Sequence, residues 1–391
     1  MAIIEITDVA DLQAMENDVA ADYEVINDID AESTDTWNWN EDRQVYEGFD
    51  PVGTFTGSFD GGGYVITRLH IDRYPSGTLG LFGVNATDGR ISRIGLKECW
   101  VHGNATLGIL CGNNRGRIWD SWAEDQNPAR AEGVFGEETA NNFAIVIGGL
   151  VGRNNTVFGT KKGGKIWGCY TKNVGVRGQG QIGGFVGGNS GYGKLWANYS
   201  DGGAVIASRT YSGGFVGRNS GHTEIRDCYS TMEVSSTSTR VGGLVGNNAN
   251  YATIHTSYSI GSVTGSDLVG GLVGEQSNDA ETHNSFWDKE TSGRSTSSSG
   301  TGKTTIEMQD ITTYTDVATA GLNTPWDIAD LTEHINEIWG IDDGNDYPIL
   351  LNPQKPPFVG QVYVRKEGVA VLSPISVRTA GAAFECEVHI K

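Results

Sequence analysis

Proline is scarce in this chain, with 9 among 391 residues, while glycine reaches 56. The glycine has no collagen-like period, and so little proline argues against a Pro-rich disordered chain; many tight turns between short strands are implied instead. Long apolar runs are also missing. No stretch approaches the ~20 apolar residues that span a bilayer, so no membrane insertion is expected. The opening Met1-Ala2-Ile3-Ile4-Glu5 has neither a basic n-region nor an apolar h-region, which reads as no secretory leader. Positive charge is in deficit: 28 Lys and Arg against 48 Asp and Glu give a net charge of −20. The nucleic-acid backbone and anionic membranes would be repelled, so no nucleic-acid partner is expected, and no polybasic run offsets this. An acidic balance with more Arg than Lys is also the habit of halophilic proteins, where salt screens repulsion between surface carboxylates. The five cysteines, Cys99, Cys111, Cys169, Cys228 and Cys386, are odd in number, so at least one is unpaired within the chain.

What the chain does have is a repeat. Leu79-GLFGVN, Gly108-ILCGNN, Gly148-GLVGRN, Gly183-GFVGGN, Gly213-GFVGRN, Gly242-GLVGNN and Gly270-GLVGEQ start 29, 40, 35, 30, 29 and 28 residues apart. A second motif follows: Ile166-WGCYT, Leu195-WANYS, Ile225-RDCYS and Ile254-HTSYS. Each unit offers two or three short strands that cannot bury a face alone and must stack on the next copy. The unit is too short for a propeller blade and lacks the 3.6-residue period of helical repeats. The fold predicted is all-β: a right-handed parallel β-solenoid (β-helix) of about seven coils, roughly 35 Å long at ~4.8 Å per coil.

Stacking turns equivalent residues into columns. Asn85, Asn114, Asn154, Asn189, Asn219, Asn248 and Gln276 are expected to form an amide ladder, and Tyr170, Tyr199, Tyr229 and Tyr258 an aromatic one, both structural. Cys169 and Cys228 share a repeat position two coils apart, ~9.6 Å, too far for a disulfide, and read as small buried hydrophobes. Insertions around Glu124–Phe143 and Asn155–Gly164 should emerge as loops from one face, often the binding face.

Residues 1–70 read as an N-terminal cap and opening coil, with a short helix from Asp8 capped by Thr7, a strand in Asp22-YEVINDIDA, and a hairpin-like lead-in over Phe55-TGSFDGGGYVITRLHI. Residues 71–290 are the solenoid. A linker-like Thr291-SGRSTSSSGTGKTT opens a partly helical C-terminal cap, 291–352. After the break at Asn352-PQKPP, residues 353–391 read as a small β-rich tail, suited to anchoring the chain on other virion or surface proteins.

The Gly-rich strands, the CYS/NYS tripeptides and the ending Phe286-WD, Gly302-KTT, Trp339-GI and Tyr347-PIL together resemble the GLUG-motif repeat proteins over about residues 1–352. The opening Ile6-TDVADLQAMEND is similar to their usual first segment. That resemblance implies an adhesin-like β-solenoid of bacteria, archaea or their viruses, and it brings no catalytic motif.

The residues offer few chemical sites. Ser297-SSGTGKTT imitates a phosphate loop, but serine holds the first glycine position and no strand leads in. Asp342-DGNDY reads as a polar turn, with Ca²⁺ as the alternative. No His/Cys cluster has zinc spacing, and neither a metal nor a cofactor is assigned. Glu224 and Asp227 lie close in one coil but no acid recurs beside them, so no enzyme activity is expected; a glycan-degrading spike is the alternative. The column Trp119, Trp167, Trp196, Arg226, His255 and His283 is the candidate ligand surface. If Ile166 and Leu195 point inward, the tryptophans point outward, where they could stack on host glycans. The expectation is a non-enzymatic attachment protein, a fibre, spike or decoration of a virus particle. A cell-surface adhesin is the alternative, and a homotrimer of rods is an assembly that no residue demands.

Overall fold

In the computed structural model the described residues are 3–74, 77–125, 133–136, 145–157, 159–237, 239–332, 336–351, 363–366 and 369–372. The chain divides into two compact units, Met1–Gln354 and Lys355–Lys391.

The first unit is a parallel β-helix. Each coil contributes five short strands rather than two or three, and each goes to a different sheet. In the coil that starts at Val186 these are Val186–Gly191 (sheet 1), Lys194–Trp196 (sheet 2), Tyr199–Asp201 (sheet 3), Ala204–Ala207 (sheet 4) and Tyr211–Gly213 (sheet 5). Among the described residues sheets 1 to 5 hold 8, 10, 10, 7 and 7 strands, and all their pairings are parallel between consecutive coils. The seven strands of sheet 5 close seven complete coils, and Val273–Asp288 begins an eighth. In five consecutive strands of sheet 2 the middle side chain enters the core: Ile118, Ile166, Leu195, Ile225 and Ile254 are fully buried.

The first complete coil lies upstream of the first motif. Val52–Phe55, Ser58–Asp60, Val65–Thr67 and His70–Asp72 join sheets 1 to 4 in parallel, where a hairpin-like lead-in was expected. Parallel pairing with the next coil lets Phe55, Phe59, Ile66 and Ile71 continue the core columns, all at 0% exposure. Before it, Ile4–Ile6 and Asp22–Val25 extend sheet 2, and Ile29–Asp30 extends sheet 3. The helix Val9–Ala14 is capped by Asp8, whose carboxylate accepts from the Ala10 and Asp11 amides at 2.9 Å each. Thr7 instead donates to Asp11 through both its amide and its hydroxyl. A carboxylate outcompetes the neighbouring hydroxyl because it brings negative charge to the helix start.

Each Gly-rich motif is the corner between sheet 5 and sheet 1. Gly213 ends one strand, Phe215 fills the corner and Val216 starts the next, with both apolar residues fully buried. Glycine is required at Gly214 because an added Cβ would lie 2.3 Å from the Gly243 carbonyl oxygen of the next coil. Beyond this corner runs the amide ladder. Asn85 donates to Asn114 at 2.8 Å, Asn114 to Asn154 at 2.8 Å, Asn154 to Asn189 at 2.9 Å, Asn189 to Asn219 at 2.8 Å and Asn219 to Asn248 at 2.9 Å. Asn248 passes the chain to Gln276 at 3.2 Å. All six asparagines are fully buried. The ladder starts at Asn85 because Phe55 holds the position in the coil before, and the Asn85 Oδ1 has no hydrogen-bond partner.

The segment from Thr291 to Thr304 is part of the fold rather than a linker. Ser297 Oγ accepts from the Leu272 and Val273 amides and Ser298 Oγ from the Gln276 amide, while Thr301–Lys303 adds the last strand of sheet 3. The hydroxyls thus satisfy the open edge that the final coil would otherwise present. Past it come two short helices, Thr305–Met308 and Thr312–Thr315, and a three-stranded sheet of Ile328–Asp330, Trp339–Ile341 and Ile349–Leu350. These pack sideways on the solenoid: Met308, Tyr314, Trp326 and Trp339 form one buried cluster with Tyr229, Tyr258 and Phe286 of sheet 3. In the second unit Tyr363–Lys366 and Val369–Leu372 pair antiparallel, and the expected strand at Phe384-ECEVHIK lies outside the described residues.

Cys99, Cys111, Cys169 and Cys228 are free and buried, and Asn198 stands in the coil between Cys169 and Cys228, accepting from the Cys169 amide at 2.9 Å. Burial raises these thiols, those of Cys99 and Cys111 to about 12. All four should resist alkylation in the native protein and react once it is denatured, as read by mass spectrometry of labelled peptides. Replacing Asn189 with Ala strands the Asn154 amide and the Asn219 carbonyl inside the ladder. A loss of about 2–5 kcal/mol is expected, measured by thermal unfolding against the exposed substitution Lys172→Ala.

Candidate functional site

The expected column exists in register on sheet 2: Trp119, Trp167, Trp196, Arg226, His255 and His283 follow one another from coil to coil. Ile118, Ile166 and Leu195 beside them enter the core, so the tryptophans face outward, each partly exposed. Their ring planes matter for what they can touch. Trp119 and Trp167 stack on one another at 5.2 Å and 5°, so the facing side of each ring is spent within the protein. Trp196 stands outside that stack, with the Lys165 ammonium 5.9 Å from its ring centroid. Its buried Nε1 has no hydrogen-bond partner.

A second outward column runs beside the first on sheet 3: Trp122, Tyr170, Tyr199, Tyr229, Tyr258 and Phe286. The two columns flank a shared corner whose residue is left-handed from coil to coil, as at Asp120, Ala197, Asp227 and Thr256, with φ between 45° and 53°. This backbone costs a non-glycine residue energy, and it turns the chain so that side chains on the two consecutive strands both face outward. Tyrosine rings stack at 4.8–5.1 Å and within 4° of parallel from Tyr170 to Tyr258. The far end of the column is covered: Tyr258 donates to the Pro348 carbonyl at 2.6 Å, and Trp339 packs against both Tyr229 and Tyr258. Tyr170 and Tyr199 stay partly exposed.

Both carboxylates of the possible acid–base pair have protein partners. Glu224 is held between Lys194 (3.1 Å) and Arg226 (2.7 Å), and these partners keep its carboxyl below the usual range against the effect of burial. Asp227 is buried beneath the cap and accepts from Thr256 Oγ1 and Trp339 Nε1; burial raises its carboxyl. In Asp342-DGNDY, Asp342 accepts from Asn345 and Asp343 from the Ile311 amide, so both carboxylates serve the turn. The Gly302-Lys303 stretch carries its strand inside the imitated motif, with Lys303 buried 5.8 Å from the Phe286 centroid. Among the described residues no group of three or more His, Cys, Asp or Glu could hold a metal ion.

A further column was not visible in the sequence. Each sheet 2 strand has two outward positions, and the one paired with the tryptophans holds Arg90, Arg117, Lys165 and Lys194 in register. These cations are far apart in sequence, so only the coil register brings them together. The insertion at Asn155–Gly164 leaves between sheets 1 and 2, closed by a Thr156–Gly163 bridge, and leads directly into Lys165. Of the insertion around Glu124–Phe143, Gly133–Gly136 is the sheet 4 strand of its coil, and most of the remainder lies outside the described residues.

With the geometry in place, comparisons give the repeat its identity. The GLUG motif matches residues 208–235 and 237–264. The chain carries GLUG repeats. Each match spans the strand that leads into a Gly-rich corner, the amide ladder, and the sheet 2 and sheet 3 strands of the site. Over 158 residues, 38% of its length, the chain is 34% identical to Halomucin of Haloquadratum walsbyi (strain DSM 16790 / HBSQ001); the match spans only 2% of Halomucin's length. Its structure is similar to the crystal structure of a candidate immunoglobulin A1 protease from Bacteroides ovatus, with a TM-score of 0.50, 19% identity, and coverage of 71% of this chain and 84% of that one. At that identity the likeness shows the fold alone.

His255 stacks on His283 at 5.0 Å, and burial, with Arg226 and His283 nearby, lowers its pKa to about 4. The folded protein therefore binds this proton less readily than the unfolded chain. Stability should fall as pH drops from about 6.5 towards 4, and less steeply in His255→Gln. An NMR titration placing the His255 midpoint near 6.5 would contradict this.

Proposed function

We propose that the chain is a non-enzymatic attachment protein, a GLUG-repeat β-helix of the adhesin type displayed on the surface of a virus particle or microbial cell. In this reading it meets glycans through sheet 2, at Trp119, Trp167, Trp196 and Arg226. The similarity to Halomucin and the repeats themselves support the surface role. The observation that carries the contact surface is the outward tryptophan column, which leaves large, partly exposed aromatics on an acidic protein. Aromatic groups of this kind normally bury their area in a core or an interface. The ion-paired Glu224 and the covered Asp227 support a binding role over a hydrolytic one. An acidic surface with a net charge of −20 suits high salt, where its self-repulsion is screened. Display on a virion is the arrangement proposed here, with the tail as the anchoring segment; immunogold labelling of purified particles and of cells separates it from a cell-surface address.

Trp167→Ala combined with Trp196→Ala should abolish retention on glycan arrays while leaving the circular dichroism spectrum unchanged. Retention equal to that of the unaltered protein would remove sheet 2 as the contact surface. New reducing ends or unsaturated sugars after incubation with polysaccharide would overturn the non-enzymatic reading.

A further inference from the structure

The outward cations of sheet 2 form a ladder in which only Lys194 has a carboxylate partner among the described residues. Arg90, Arg117, Lys165 and Lys194 occupy one position in four consecutive coils, ~4.8 Å apart along the axis. Like charges placed directly opposite one another on neighbouring strands are destabilising. Lys194 has Glu224 at the distal end, but among the described residues no carboxylate pairs with Arg90, Arg117 or Lys165, and all three are exposed. The lowered pKa of Lys165, due to desolvation and then to Arg117 and Lys194, reflects the same crowding. The insertion just upstream adds Lys161 and Lys162, both exposed, to the same stretch. A chain with 48 acidic residues against 28 basic ones has carboxylates to spare for neutralising such a column. One is used at the far end, where Glu224 follows and pairs with Lys194, and at the near end Ser58 precedes Arg90. The basic stripe is therefore bounded, four coils long, and directly beside the tryptophans, which share its face.

We propose that this face binds an acidic polysaccharide lying parallel to the solenoid axis. Its carboxylates or sulfates meet Arg90, Arg117, Lys165 and Lys194, and its sugar rings lie against Trp119, Trp167 and Trp196. The proposal rests on the glycan-contact reading above and adds the charge class of the glycan. Charge complementarity selects a polyanion. Single-stranded nucleic acid stacks successive bases on or between aromatic faces, and no base can enter between Trp119 and Trp167; a sugar polymer needs no such gap and can lie along the partly exposed outer sides of the rings. The protein's overall negative charge opposes a loosely held polyanion, so binding depends on short-range contact with the stripe.

Binding of the full chain is measured against polygalacturonate, dextran sulfate and uncharged dextran of matched length, with oligodeoxythymidylate as a polyanion without the sugar polymer. The unaltered protein should bind one or both acidic glycans, with affinity falling as salt rises. Arg117→Glu with Lys165→Glu should weaken that binding about tenfold or more, whereas Arg117→Lys with Lys165→Arg should retain it. The reversed pair relieves cation crowding, so its melting temperature at low salt should be no lower than that of the unaltered protein, which separates lost binding from lost folding. Equal affinity for dextran and the acidic polymers, or no effect of charge reversal, overturns the acidic-glycan inference and leaves glycan contact standing. Oligodeoxythymidylate held as tightly as the acidic glycans overturns it in favour of nucleic acid. If no glycan binds, the inference and the reading beneath it both fall.

Discussion

Every feature of the first unit depends on one constraint: each coil must lie over the last in register, residue upon equivalent residue. Parallel backbone bonds join each coil to the next, and the buried inner residues already disfavour a one-residue slip, which would turn them outward. The buried asparagines sharpen that constraint. An amide that donates to the coil on one side and accepts from the coil on the other is satisfied only when both neighbours present an amide at the same place. A slip by one residue would bury several unpaired polar groups at once. Gly214 and its equivalents act in the same direction, since their approach to the next coil leaves no space for a side chain.

Fixed register explains why surface chemistry on this fold arrives as stripes. A residue type that is tolerable once becomes a ladder when copied, and the consequences depend on the type. Tyrosines gain from repetition, because each ring stacks on the next. Cations lose by it, so a basic ladder in an acidic chain calls for an explanation that a basic ladder in a basic chain would not. The left-handed corner between sheets 2 and 3 sets both stripes side by side. Its repeated occupation by Asp, Ala and Thr as well as Gly shows the conformation held by the stack rather than by local preference.

The spacing of the Gly-rich motifs made the coil, the amide ladder and both aromatic columns legible from residues alone. Seven copies of one strand–turn–strand pattern leave few alternatives. The five strands per coil were not legible, because three-residue strands such as Lys194–Trp196 are too short to show alternation and are defined only by their neighbours. The opening coil was hidden for a related reason: Val52–Asp72 lacks the Gly-Leu-Val corner and the ladder asparagine, Phe55 standing in its place. The serine-rich stretch after Trp287 imitated a linker in composition, although its hydroxyls close the edge of the last coil. The tryptophan stripe was readable because its residues are rare. The cation stripe was not, since Arg90, Arg117 and Lys165 become neighbours only once the unequal steps of 40 and 35 residues are folded out as insertions.

The C-terminal segment of the first unit grips particular coils rather than the end of the solenoid in general. Trp339 bonds to Asp227, Tyr258 to Pro348, and Tyr347 and Thr305 to Asp288, so one small assembly of helices and strands reads side chains from three successive turns. That arrangement separates two quantities an evolving lineage can adjust. Turns inserted before Asp227 would lengthen the reach of the molecule by ~4.8 Å each and leave the terminator's recognition surface unaltered, whereas turns inserted after it would break that surface. Length is thus free to vary on one side of Asp227 and is set on the other.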